Sequence, residues 1–284
     1  MKLASFAHQG HMSWGIVTEA GVIDGIELSA GRFRTLRSLL EADAQQELAS
    51  LVPTATPTLR TGDIHFLPVI PDPENIFCVG LNYEEHRAEA NRAATAEPTI
   101  FTRNRRSQLG HGSTMLRPRE TEMFDYEGEI AIVIGKAGRR IREANAWEHV
   151  AGYAAYNDGS VRNWQRHTTQ WTAGKNFEGT GAFGPWMILR GEIEDGEVLT
   201  LETRLNGAVM QHATTDMLIF SIPRLIAYIS TFTKFVPGDV IVTGTPGGVG
   251  LARKPQVFMK PGDVVEVEVS KIGVLRNEIG DDSN

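Results

Sequence analysis

The chain has little of what would place it in several large classes. It has a single cysteine, Cys78, among 284 residues. One thiol cannot close an internal disulfide, which fits a reducing compartment. Basic residues are in deficit: 28 Lys and Arg against 35 Asp and Glu give a net charge of -7. A polyanion-binding surface is not expected, because the one dense basic stretch, Arg103, Arg105 and Arg106, is short. No apolar run approaches the ~18 residues of a membrane span. The opening MKLASFAHQGHMSWG lacks the sustained apolar stretch of a signal peptide. Gly-x-Ser-x-Gly elbows, phosphate loops, dinucleotide fingerprints and zinc-type His/Cys spacings are all missing. The expectation is a soluble cytoplasmic protein with neither a nucleic-acid nor a membrane partner.

What is present is a large apolar fraction, 41% of residues, enough for a substantial core. Two units are expected, a small one over residues 1–70 and a larger one over 71–284. In the first, LASFA and WGIVT have the look of short strands, and Arg34 to Leu51 carries helically spaced leucines. VPTATPTL follows as a linker. The second unit opens with the apolar run IFCVGL near Asn75, then NYEEHRAEANRAATAEP, whose Ala and Glu content favours helix. Beyond Asp125 strands dominate, interrupted by one helical stretch, MLIFSIPRLIAYISTF, with Pro223 in its first turn. The class is α+β, without the alternating units of a doubly wound fold.

The most informative stretch is FDYEGEIAIVIG, residues 124–135, acidic at its start and apolar at its end. On a strand, Glu127 and Glu129 share one face with Ala131 and Val133, while Tyr126, Ile130, Ile132 and Ile134 take the other. Buried together, two carboxylates repel and raise each other's pKa, and a hard divalent cation reverses that penalty. Asp158, at the end of the apolar run before Gly159, is the best third ligand. The same spacing also suits a half-exposed strand whose glutamates face water. His86 and Glu89 lie three apart and would meet on one helical face. By themselves they fit an ordinary solvated helix better than a proton-transferring pair, though the pair could do that work.

Seven blocks make the chain resemble the fumarylacetoacetate hydrolase superfamily from about Asn75 to Asn277. In order they are IFCVGLNYEEHRAE, FDYEGEIAIVIGK, VAGYAAYNDGSVRNWQ, GKNFEGTGAFGPW, LNGAVMQHATTDMLIF, PGDVIVTGTPGGVG and MKPGDVVEVEVSKIGVLRN. The first 70 residues carry no matching signature. The resemblance implies a mixed β-sandwich roll after a small N-terminal α/β domain, a homodimer, and Mg²⁺, with Mn²⁺ or Ca²⁺ as alternatives.

It implies metal ligands at Glu127, Glu129 and Asp158, a His86–Glu89 dyad on a mobile lid, and a pocket lysine at Lys175. Gln165, Arg162 and Thr245 are the implied substrate-binding residues. If the segment after Asp158 is helical, Arg162 and Gln165 share a face with it. Arg103, Arg105 and Arg106 either meet the far end of an acidic substrate or face solvent. Cys78, in an apolar strand, is expected to be a small buried hydrophobe. The expected substrate is a keto or diketo acid. The leading expectation is hydrolysis of a 2,4-diketo acid, an acylpyruvate, to pyruvate and a carboxylic acid. His86 and Glu89 would activate water and Lys175 would stabilise the enolate. Oxaloacetate-type decarboxylation and isomerisation of a 2-hydroxymuconate or 2-hydroxyhepta-2,4-diene-1,7-dioate are the alternatives, and a non-catalytic binding protein is a distant one.

Overall fold

Two sheets share the core of the computed structural model, which describes residues 1–282. The backbone of the larger sheet runs in the order Gly21–Asp24, His11–Thr18, Lys2–His8, Gly181–Leu189, Val150–Asp158, Gly128–Ile134, Val240–Val242, Ile76–Gly80, Thr99–Arg103. Its neighbours are antiparallel except Val240–Val242 and Ile76–Gly80, which run parallel. The smaller sheet contains Ala208–Thr214, Thr200–Leu205, Val264–Val269, Gly273–Asp281 and Met115–Arg117. The result is a mixed α+β architecture made mostly of sheet.

The period-two pattern of the Gly128 strand decides where the core sits. Ile130, Ile132 and Ile134 face a cluster shared with Val265, Val267 and Leu275 of the smaller sheet. Ala131 and Val133 face a second cluster with Trp14, Leu36, Leu39 and Leu40 from the N-terminal segment. Both faces of this strand are therefore buried, and no half-exposed strand exists here.

The boundary expected near residue 70 does not interrupt the sheet. Lys2–His8 pairs antiparallel with Gly181–Leu189, with Lys2 opposite Ile188. The expected helix over Arg34 to Leu51 is two, Leu36–Glu41 and Gln45–Leu51, because Asp43 takes a left-handed φ of 51° between them. Helix is also shorter than expected after Asn82: only Glu84–Glu89 is helical. Asn91, at φ 51°, ends it, and residues 91–97 are exposed and irregular. The long helix, Ile222–Phe232, starts at the Ser221 cap with Pro223 in its first turn, where a missing N–H costs nothing. Among the described residues, no helix is long and apolar enough to cross a membrane.

Candidate active site

Antiparallel pairing brings the three expected metal ligands together. Gly128 lies opposite Asn157, so Glu127 and Asp158 stand at matched ends of neighbouring strands. The Asp158 N–H donates to the Glu127 carbonyl at 2.8 Å, and the Asn157 side chain accepts from the Glu127 N–H at 3.0 Å. Glu129, one pleat further in, completes a buried triad whose ligand atoms lie within 4.8 Å of one another. Gly128 is required between the glutamates: a Cβ there would meet the Thr203 hydroxyl at 1.9 Å.

Four buried carboxylates, Asp125, Glu127, Glu129 and Asp158, face three buried cations, Arg103, Arg162 and Lys175. The Lys175 ammonium lies 2.5 Å from both Glu127 and Asp158. Arg162 holds Glu127 at 2.5 Å and Asp125 at 2.7 Å. Arg103 pairs with the other oxygen of Asp158. Among the described residues, Glu129 alone of the four has no cation and accepts only the Gly244 N–H, at 2.6 Å. Burial, together with the Asp158 and Glu127 charges, pushes its carboxyl well above the usual range. Burial works against ionised Glu127 too, but Arg162 and Lys175 overcome it and hold its pKa below normal. Burial alone would lower the Lys175 pKa, yet Asp158 and Glu127 raise it, so the lysine is a firm cation. An all-oxygen triad with one uncompensated carboxylate fits a hard divalent cation.

Lys175 reaches this place because Gly174 packs against backbone. A Cβ at Gly174 would lie 2.3 Å from the Gln165 nitrogen. The Lys175 ammonium also sits 5.0 Å above the Phe101 ring. His86 and Glu89 lie on the short helix over the triad, with Nδ1 and Oε2 4.0 Å apart. The Glu89 carboxylate accepts the Gly248 N–H at 2.9 Å. Burial opposes its charge, but His86 and the Gly248 N–H keep it below the usual carboxylate range. Asn82 anchors the root of this helix, donating to the Phe220 and Thr243 carbonyls and accepting from the Phe220 N–H.

A cavity of about 300 Å³ is lined by His86, Glu89, Glu127, Glu129, Arg162, Gln165, Lys175 and Thr245, with Asp158 behind them. The three implied substrate-binding residues, Arg162, Gln165 and Thr245, all have partners within the protein. Arg162 gives Nε to Asp125 and Nη1 to Glu127 and Gln165, the last at 3.1 Å, while its buried Nη2 has no partner among the described residues. The Thr245 hydroxyl donates to the Gly128 carbonyl at 3.0 Å and accepts from Gln211 at 2.8 Å, so its proton is not free for a substrate carboxylate. Asp158, Arg162 and Gln165 do not share one helix. Asp158 ends a strand, and the helix begins only at Arg162.

Arg103 is a correction to the expectation for the basic stretch. It does not face solvent and is not among the cavity-lining residues; it is buried behind Asp158, whereas Arg105 and Arg106 are exposed. Asp125 was not expected in any role. It accepts the Gly250 and Leu251 N–H groups at 2.8 and 2.9 Å as well as Arg162. The third carboxylate of DYEGE therefore ties the Gly248–Leu251 turn to Glu127. Burial pushes the Cys78 thiol pKa up, as suits an inert core residue.

A buried carboxylate triad at the floor of a pocket, with a His–Glu pair beside it, is a site that suits a divalent cation. A family model described as fumarylacetoacetate (FAA) hydrolase C-terminal matches residues 75–280. The chain belongs to this fumarylacetoacetate hydrolase family. It is 39% identical over 225 residues to oxaloacetate tautomerase FAHD2A, mitochondrial, of Homo sapiens, covering 78% of this chain and 72% of that protein. Among solved structures it resembles fumarylacetoacetate hydrolase from psychrophilic Exiguobacterium antarcticum, with 30% identity, a TM-score of 0.87 and 99% of each chain covered. It also resembles 5-carboxymethyl-2-hydroxymuconate delta-isomerase from Mycobacterium smegmatis, with 27% identity, a TM-score of 0.78 and 100% of each chain covered.

Proposed function

We propose that this protein is a metal-dependent tautomerase of a small 2-oxo dicarboxylic acid of the oxaloacetate type. The observation that carries the proposal is His86, buried in the cavity wall with an Nδ1 that has no hydrogen-bond partner among the described residues. The tautomerase and isomerase names of the relatives support it over acylpyruvate hydrolysis. Keto–enol exchange needs a proton moved between C3 and the C2 oxygen, and no attacking water.

A divalent cation held by Glu127, Glu129 and Asp158, Mg²⁺ by its all-oxygen donor set, would polarise the 2-oxo group and offset enolate charge. His86 takes the C3 proton of the keto form and delivers it to the C2 oxygen to give the enol, and in the reverse direction it carries the proton from that oxygen back to C3. Glu89, fixed by the Gly248 N–H, steadies the imidazolium that results. Lys175 gives two of its three N–H donors to Glu127 and Asp158 and keeps one for the C2 oxygen. Arg162 holds Glu127 in place, and Gln165 and Thr245 shape the wall.

Enol and keto oxaloacetate would be followed by NMR with Mg²⁺, alongside EDTA and His86→Ala controls. Exchange faster than in buffer, lost in both controls, supports the reading. Release of CO₂ and pyruvate without faster exchange makes the protein a decarboxylase. The hydrolase among its structural relatives keeps hydrolysis as the second reading, and acetate plus pyruvate from acetylpyruvate would establish it.

A further inference from the structure

We propose that Arg92 and Arg166 form the outer subsite of this pocket and bind a second carboxylate on the substrate, a proposal that rests on the 2-oxo acid reading above. Four cationic side chains line the cavity: Arg92, Arg162, Arg166 and Lys175. Arg162 and Lys175 are buried and their charges are paired with Asp125, Glu127 and Asp158, although Arg162 Nη2 itself has no partner among the described residues. Arg92 and Arg166 make no ion pair and no side-chain hydrogen bond among the described residues, and both are exposed at the mouth of the cavity.

The two come from elements that already supply pocket groups. Arg92 lies three residues beyond Glu89, and its N–H closes the end of that helix on the Arg87 carbonyl at 3.1 Å. Arg166 follows Gln165, its N–H donating to the Asn163 carbonyl at 3.2 Å. The only carboxylates in the lining are Glu89, Glu127 and Glu129. Glu127 and Glu129 are buried in the floor, and Glu89 faces His86 and the Gly248 N–H. The floor is thus the place for the 2-oxo acid end, and the mouth carries two unneutralised guanidinium groups for the far end. A guanidinium fork matches a carboxylate bidentately, and a charge at the rim also steers an anion inward. This assigns to Arg92 and Arg166 the distal selectivity that the sequence had suggested for Arg103, Arg105 and Arg106.

The test is calorimetric binding to the full chain loaded with Mg²⁺, using two 2-oxo acids that differ at the far end. Pyruvate has one carboxylate and 2-oxoglutarate has two. The wild type is expected to bind 2-oxoglutarate at least about tenfold more tightly than pyruvate, the scale of hydrogen bonds to a charged group. In an Arg92→Gln, Arg166→Gln double variant the ratio should fall to about twofold with the pyruvate Kd unchanged, which also shows that the variant is folded. A wild-type ratio near one, a ratio kept by the variant, or pyruvate binding that weakens as much as 2-oxoglutarate binding would each overturn the proposal. Because the readout is binding, it separates from the tautomerase reading: the expected ratios without enol–keto exchange would leave the subsite standing and remove the reaction.

Discussion

The Lys175 ammonium bridges Glu127 and Asp158, 2.5 Å from an oxygen of each. Two of the carboxylates suited to a cation are thus already paired with a fixed charge inside the protein. Lysine and metal share the work of neutralising one buried cluster. Lys175→Met should therefore lower stability in EDTA by roughly 3–5 kcal/mol, since it leaves buried carboxylates uncompensated. Added Mg²⁺ should restore part of that loss. Thermal denaturation with and without the ion checks it, and a variant as stable as wild type in EDTA would contradict the pairing.

Glu129 is the carboxylate without a cation among the described residues, and burial together with the Asp158 and Glu127 charges favours its neutral form. Glutamine keeps the acceptor for the Gly244 N–H and removes the charge. Glu129→Gln should leave metal-free stability equal to wild type or higher, while weakening Mg²⁺ binding by at least about tenfold. Denaturation in EDTA and titration calorimetry with Mg²⁺ read the two effects separately.

Asp125 touches no cavity space, yet it holds both Arg162 and the Gly250–Leu251 backbone. Asp125→Ala strands three donors and should cost about 3 kcal/mol or more, whereas Asp125→Asn, which keeps an acceptor, should cost about 1–2 kcal/mol. Urea denaturation ranks the two variants. Equal costs would mean that the charge, and not the hydrogen bonding, is what matters.

Glu89 has a folded-state pKa below its ordinary value. A carboxylate shifted this way stabilises the fold above its unfolded pKa, about 4.3, and loses that contribution as pH falls through the folded value. The stability gap between wild type and Glu89→Gln should hold steady from neutral pH to about 5, then close on further acidification. Activity of Glu89→Gln should be reduced at every pH from about 5 to 8, because the native group is a carboxylate throughout. A variant that regains activity at low pH would show that the neutral acid is the working form.

Period-two alternation made the Gly128 strand legible. Glu129, Ala131 and Val133 do face one core while Ile130, Ile132 and Ile134 face the other. Asp158 could be read from an apolar run ending at a glycine. Arg103 could not, because its partner lies 55 residues away and only strand pairing turns it inward. In sequence it looks like one of three surface arginines. Asp125 stayed silent for a related reason: its partners include backbone N–H groups at Gly250 and Leu251, which leave no mark on side-chain identity. Arg162 came from the family pattern as a substrate-binding residue; its Nε and Nη1 are tied to two carboxylates, which no sequence spacing showed, and its Nη2 is left unpaired among the described residues.

The pairing of Lys2–His8 with Gly181–Leu189 bears on how far the chain can be shortened. The family match begins at residue 75, which invites trimming there. Cutting at that point would bare one flank of Gly181–Leu189, a ready template for intermolecular strand addition. It would also strip Trp14, Leu36, Leu39 and Leu40 from the face that carries Ala131 and Val133 behind Glu129. The N-terminal segment, which contributes nothing to the cavity lining, is thus the back wall against which the Gly128–Ile134 strand is pressed, and a chain trimmed to 75–280 should self-associate before it can bind anything.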